Sequence, residues 1–173
     1  QREPVAGQSM VLTIDQTIQY LAERELGRSI AETGAKAGTV IVLSPATGDI
    51  LALANSPDYN LNRPSASDAE ARKNRAIVDS YEPGSTFKVV TMAAALERGL
   101  LRPAEIIDCN NGSLRVGRAL IRDHKSFGLL SASEVLQYSS NVGAMKIGRR
   151  LSERDFYDTI RRLGFGARTG IEL

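Results

Sequence analysis

The sequence predicts an α/β domain, more closely an α+β one, in which an antiparallel sheet carries helices packed on it. Three observations predict this. Residues 15–31 place Ile18, Leu21 and Ala22 on one helical face, with Ile14 just ahead of them. Residues 39–43 and 50–54 are two short apolar runs joined by Ser-Pro-Ala-Thr-Gly, the strongest hairpin signal in the chain. Residues 89–96 are apolar almost all round and stop at Gly99, the pattern of a helix buried inside a domain.

The first helix has a start signal in Thr13 and Gln16, which are spaced as a capping box, and Asp15 also suits its first turn. Gly34 and Gly38 end it. Both hairpin runs are apolar at nearly every position, which predicts strands covered on both faces by helices. Residues 55–80 are polar and rich in Pro and Ser, too long for a simple connection and therefore functional or mobile in part. After the buried helix, "IIDCNNGSLRVG" predicts a second hairpin turning at Asn110-Asn111-Gly112. Ser131 and Glu134 form another capping box ahead of "VLQYSS", and "NVGAMKIGRRL" and "SERDFYDTIRRLG" predict two further helices. The chain has no internal repeat.

Composition narrows the function classes. At 173 residues, 42% hydrophobic and 24% charged, the chain has the size and balance of one globular domain with a real core. Its 22 basic and 20 acidic residues are interspersed and form no basic stripe with aromatic interleaving, which argues against a nucleic-acid partner. The single cysteine, Cys109, excludes an intrachain disulfide, has no motif around it and reads as a small apolar side chain near a turn. No stretch approaches the length of a membrane span and "QREPVAGQSM" has no signal-peptide core, so no membrane contact by this chain itself is expected.

Chemistry enters at "EPGSTFK", residues 82–88. Pro83 and Gly84 force a turn, so Ser85 falls at the first turn of the buried helix, where free N–H groups and the positive dipole end favour negative charge. One helical turn on, Lys88 shares its face. A lysine on so apolar a helix is desolvated and disposed to act as a neutral base. An N-cap serine with a solvated lysine fits the same spacing, and local physics leaves the two readings open. Ser139-Ser140-Asn141 is the second element: it lies between two capped helices, from where Ser139 can relay a proton between Lys88 and a leaving amine and Asn141 can hold a substrate amide. Together, S-x-x-K and S-x-N match a serine acyl-transferase signature.

With these motifs, the chain resembles the first part of the transpeptidase domain of class B penicillin-binding proteins. The resemblance is carried by "LTIDQTIQ", "GTVIVLSPATGDILALA", "YNLN", "NRA", "YEPGSTFK", "SSNVGAMKIG" and "GFGARTGIEL". Within the class, "RAIVDSYEPGSTFK" is more similar to the cell-division type than to the elongation type. The resemblance implies a β-lactamase/transpeptidase-like fold. It implies that Ser85 attacks the penultimate D-alanine carbonyl of a peptidoglycan stem peptide to form an acyl-enzyme, resolved by an amine of a neighbouring peptide. Lys88 would deprotonate Ser85, Ser139 would assist protonation of the leaving group, and Asn141 would orient the acyl amide. β-Lactam antibiotics would acylate Ser85. The partners implied are peptidoglycan stem peptides, β-lactams and other cell-division or cell-wall proteins. No metal or organic cofactor is implied. The implied location is extracytoplasmic, with a parent protein anchored by an N-terminal transmembrane helix outside this chain.

One family element has no counterpart. The sequence holds no Lys-Thr-Gly or Lys-Ser-Gly, the third motif that supplies substrate-carboxylate contacts beside the nucleophile. Arg168-Thr169-Gly170 follows "GFGA" and reads as a structural turn. Residues 1–173 are therefore expected to be a partial transpeptidase domain, incomplete in its sheet and weak or inactive alone. Two other functions are weighed: a module that binds β-lactams or muropeptides without turnover, and a class D-like β-lactamase, whose second motif is S-x-V where this chain has S-x-N. Of the remaining residues, Arg75 either anchors the loop before the nucleophile or is a solvated charge. His124 reads as a surface-turn residue, Glu82 as a charge near Lys88 or a solvent-facing one, and Phe87 as core.

Overall fold

The structure, a computed structural model, describes Gly7 and residues 9–171; the last two residues of the "GFGARTGIEL" segment lie outside the described ones. The chain divides into two compact units, Gln1–Tyr81 and Glu82–Leu173.

In the first unit, helix α1 (Gln16–Thr33) begins on Asp15, whose side chain accepts the Ile18 N–H at 2.9 Å, and ends at Gly34. The expected Thr13/Gln16 capping box does not form. Thr13 stands two residues before the cap and its hydroxyl donates to the Ile50 carbonyl at 2.6 Å instead. Strands β1 (Gly38–Leu43) and β2 (Ile50–Ser56) pair antiparallel, with Val40 opposite Ala54 and Val42 opposite Ala52. The small Ala52 and Ala54 let α1 settle on this face, where Ala22 and Leu26 complete a buried cluster. Coverage of both faces is not what the structure shows within this unit. Burial alternates along β1, and Ile41 and Leu43 on the other face are 46% and 55% exposed. One helix covers one face of a two-stranded ladder, and the short helix α2 (Arg75–Val78) reaches only part of the other. Asn55 ties α2 to β2: its amide donates to Asn74 Oδ1 at 3.1 Å and its Oδ1 accepts the Ala76 N–H at 3.1 Å.

The second unit opens with a 3₁₀ turn, Gly84–Phe87, that runs directly into helix α3 (Lys88–Glu97). This helix is buried along one stripe, not all round: Val90, Met92, Ala94 and Ala95 are inside, while Val89 and Leu96 are 56% and 44% exposed. The predicted hairpin around Asn110–Gly112 is also revised. Strand β3 (Ile106–Asp108) pairs with a later strand, Leu129–Ser131, and the residues between form their own hairpin, β4 (Ser113–Val116) with β5 (Ala119–Arg122). The local reason is that Asn110 and Asn111 both take positive φ within a 3₁₀ turn, which redirects the chain. The two-residue reversal sits at Gly117 and Arg118, with Gly117 at φ +58°, the sign a type II′ hairpin turn needs at its first position. Numbering Leu129–Ser131 as β6, the described residues hold three two-stranded antiparallel ladders where a single sheet was expected.

Three helices follow as predicted. Helix α4 (Ala132–Gln137) carries the Ser131/Glu134 capping box, α5 (Asn141–Gly148) is capped by Ser140, and α6 (Glu153–Arg162) by Ser152. The helices α3, α4 and α5 enclose Met92, Ala95, Val135, Val142 and Ile147, joined by Cys109, which is fully buried as a small apolar side chain. Gly143 permits the α4–α5 contact: a Cβ there would lie 2.6 and 2.7 Å from the two γ carbons of Val135. The turn between α4 and α5 is thereby pulled tight. Among the described residues no helix is long and apolar enough to cross a membrane.

Candidate active site

Pro83 sets the entry direction and Gly84 takes φ +58°, a left-handed conformation that a side chain disfavours, so the chain turns sharply into Gly84–Phe87. A 3₁₀ turn has three residues per turn and stacks residues i and i+3 one above the other. Ser85 therefore stands in line with Lys88, and Lys88 Nζ lies 3.3 Å from Ser85 Oγ. Ser85 is exposed and Lys88 half-buried. The sequence placed Ser85 on the first turn of the α-helix; the 3₁₀ turn sets it one turn earlier and aligns it better with the lysine.

The second element arrives through the turn between α4 and α5. Ser139 adopts φ +55°, uncommon for a residue with a side chain, and this conformation presents both its carbonyl and its hydroxyl to one point. Lys88 Nζ occupies that point, donating to Ser139 O at 2.6 Å, to Ser139 Oγ at 2.9 Å and to Asn141 Oδ1 at 2.6 Å. All four residues singled out by the motifs are thus brought together around one amine. An ammonium has three protons and no lone pair, so it is fully used by the three close acceptors. A neutral amine keeps donating to the two obligate acceptors, Ser139 O and Asn141 Oδ1, and its lone pair is then open to a hydroxyl proton from Ser85 or Ser139.

Burial is the main influence on the Lys88 amine and pulls its pKa below the ordinary lysine value, while the Asp123 carboxylate opposes this by favouring the charged form. Asp123, which follows β5, is the residue that sequence reasoning missed. Its Oδ1 accepts the N–H groups of Asn141 and of Val142, the latter at 3.0 Å, and its Oδ2 accepts the Ser140 hydroxyl at 2.8 Å. The adjacent Arg122 carbonyl accepts from Asn141 Nδ2 at 2.7 Å. Nothing local marks Asp123, because its partners lie on the far side of the β6–α4 segment. An open groove of about 660 Å³ leads away from Lys88 and Asn141, flanked by Arg122, Arg149, Met145 and Phe156.

The other singled-out residues are peripheral to this cluster. Arg75 is mostly buried and pairs with Asp79 at 3.0 Å and Glu70 at 3.3 Å, an anchor for the 70–79 segment. Phe87 is half-buried with its ring edge-on to Phe156 and Phe165. His124 is exposed and packs edge-on to Phe127, and Glu82 is exposed. Residues 168–170 are exposed and outside any strand, and the turn expected of this segment lies just before them, at residues 163–166.

Comparison with known proteins matches the penicillin binding protein transpeptidase domain over residues 38–173. The chain belongs to this family. The transpeptidase domain chain is 41% identical over 165 residues to a probable peptidoglycan D,D-transpeptidase, PenA, of Neisseria flavescens, covering 95% of this chain and 41% of that protein. It is 37% identical over 168 residues to the peptidoglycan D,D-transpeptidase FtsI of Escherichia coli K12, covering 97% of this chain and 28% of that protein. The transpeptidase (TP) domain of Burkholderia pseudomallei penicillin-binding protein 3 has a similar structure, with a TM-score of 0.80 and 31% identity over 93% of this chain and 45% of that one. The chain thus spans less than half the length of these relatives. The mixed α/β fold with antiparallel strands agrees with this transpeptidase domain structure.

Proposed function

We propose that this chain carries the nucleophile's half of a peptidoglycan D,D-transpeptidase active site, with Ser85 as nucleophile. The observation that supports this best is the convergence of Ser85, Ser139 and Asn141 on Lys88 Nζ. Neutral Lys88 accepts the Ser85 hydroxyl proton as Oγ attacks the penultimate D-alanine carbonyl of a stem peptide. The C–N bond to the terminal D-alanine breaks, and its amine takes the proton back from Lys88 through Ser139. An amine of a second stem peptide then attacks the ester, giving a proton to Lys88 that passes to Ser85 Oγ as the C–O bond breaks, which forms the cross-link and restores the Ser85 hydroxyl. Asn141 keeps one amide hydrogen on Arg122 O and has a second with which to hold the acyl amide of the substrate.

β-Lactams would enter the same site and acylate Ser85 by opening their ring amide. With peptidoglycan as substrate the working site would lie outside the cytoplasm, and the similarity of "RAIVDSYEPGSTFK" to the cell-division type favours partners in septal wall synthesis. The third family motif is assigned to no residue of this sequence, and residues 1–173 alone are expected to show weak or no turnover.

The test uses the full-length protein bearing this chain, a fluorescent penicillin and peptide mapping. The label should fall on Ser85 and vanish in Ser85→Ala, with release of D-alanine from a peptide ending in D-Ala-D-Ala. Labelling that survives Ser85→Ala overturns the assignment. Acylation without D-alanine release would favour a binding module, and rapid penicillin hydrolysis a β-lactamase.

A further inference from the structure

We propose that Asp123 is a positioning residue of this active site, clamping the 139–141 turn so that Ser139 O and Asn141 Oδ1 stay aimed at Lys88. This rests on the reading of Ser85 and Lys88 as nucleophile and base. Helix α5 starts with N–H groups that have no partner within the helix. Asp123 Oδ1 accepts those of Asn141 and Val142, and the Ser140 hydroxyl oxygen accepts that of Gly143 at 2.9 Å. Ser140 is fully buried, and its hydroxyl proton goes to Asp123 Oδ2 at 2.8 Å. One carboxylate therefore binds three consecutive residues, 140–142, where the turn enters α5, at the positive end of a helix where an anion is favoured.

The clamp is itself anchored. The Asp123 N–H donates to the Gly112 carbonyl at 2.9 Å, just beyond the β4–β5 ladder. The Arg122 carbonyl takes one Asn141 amide hydrogen, and because the amide is planar this points Oδ1 toward Lys88. Neither contact is needed to build α4 or α5, which have their own Ser131 and Ser140 caps. What residues 122 and 123 add is the orientation of two of the three close acceptors on the base.

The same carboxylate sets the charge seen by Lys88. The hydrogen-bond partners of Lys88, namely Ser85, Ser139 and Asn141, are neutral, Arg122 and Arg149 flank the groove, and Asp123 is the anion that favours the protonated amine. Removing its charge makes Lys88 easier to deprotonate, so the acid limb of the acylation profile moves to lower pH. A residue that only stabilises the fold would not move that limb.

The experiment measures the second-order rate of acylation by a fluorescent penicillin against pH, in the full-length protein and in Asp123→Asn and Asp123→Glu. Asparagine keeps the shape and loses the charge. Its plateau rate should fall on the order of 100-fold, the cost of a misplaced catalytic contact, and its acid limb should shift downward. Wild-type plateau and limb in Asp123→Asn overturn the proposal. If that variant does not fold, Asp123→Glu decides: a wild-type acid limb with a reduced plateau supports the clamp, and a wild-type plateau overturns it. A wild-type protein that takes no label at Ser85 refutes the nucleophile reading instead. Amide exchange then tests the clamp by itself, since Asn141 and Val142 should exchange faster in Asp123→Asn, and unchanged exchange counts against it.

Discussion

Replacing Ser139 by alanine removes a single contact from the candidate base. Lys88 Nζ loses Ser139 Oγ at 2.9 Å and keeps Ser139 O and Asn141 Oδ1, both at 2.6 Å, because the first is backbone and the second belongs to another residue. A hydrogen bond with a charged partner contributes about 1.5–3 kcal/mol. At about 1.36 kcal/mol per decade this corresponds to a fall of about 10- to 150-fold in the rate of Ser85 acylation. The effect should be larger on D-alanine release than on opening of a penicillin ring, whose leaving amine stays tethered and has less need of a relayed proton. Stability should also fall, by no more than about 1.5 kcal/mol, the low end of that range, because Ser139 sits in a half-exposed turn where water can replace the lost hydroxyl. Stopped-flow acylation, a D-alanine release assay and a thermal melt of the variant check all three statements. An acylation rate and D-alanine release unchanged from the wild type would refute the role given to this hydroxyl.

Lys88→Arg keeps the positive charge but cannot be deprotonated, and should lower acylation about 10²- to 10⁴-fold, the usual contribution of a general base, as read by penicillin labelling. In the wild type, acylation should rise with pH through the Lys88 pKa, because only the neutral amine accepts the Ser85 proton. Burial lowers that pKa, so the rise should come below the ordinary lysine range, and a pH-rate profile locates it. Gly143→Ala should destabilise the protein by about 1–3 kcal/mol, seen as a lowered melting temperature. The new Cβ meets both γ carbons of Val135, at 2.6 and 2.7 Å, so rotating that β-branched side chain cannot relieve both contacts.

Much of this protein can be read from its sequence because it depends on near neighbours. The helix ending at Gly34, the β1–β2 pairing, the capping box at Ser131 and the two following helices are set by periodicity, caps and turn residues a few positions apart. The alignment of Ser85 with Lys88 has the same origin, a Pro-Gly turn and a three-residue spacing. These local features, joined with Ser139 and Asn141 in one signature, identify the acyl-transferase family from the sequence alone.

Tertiary structure decided what depends on distant partners. The Asn110–Gly112 turn carries ordinary hairpin residues, but which strand β3 meets depends on Leu129–Ser131 arriving beside it, and that pairing left the hairpin to Gly117. Apolar runs report capacity for burial and not what covers them, so Ile41, Leu43, Val89 and Leu96 are more exposed than their neighbours imply. Asp123 is the clearest case. An aspartate in an exposed-looking "RDHKSFG" stretch has no local mark of function. It acquires one only where folding brings its carboxylate to the first turn of α5, because electrostatic and hydrogen-bond energies depend on distance in space and not on separation along the chain.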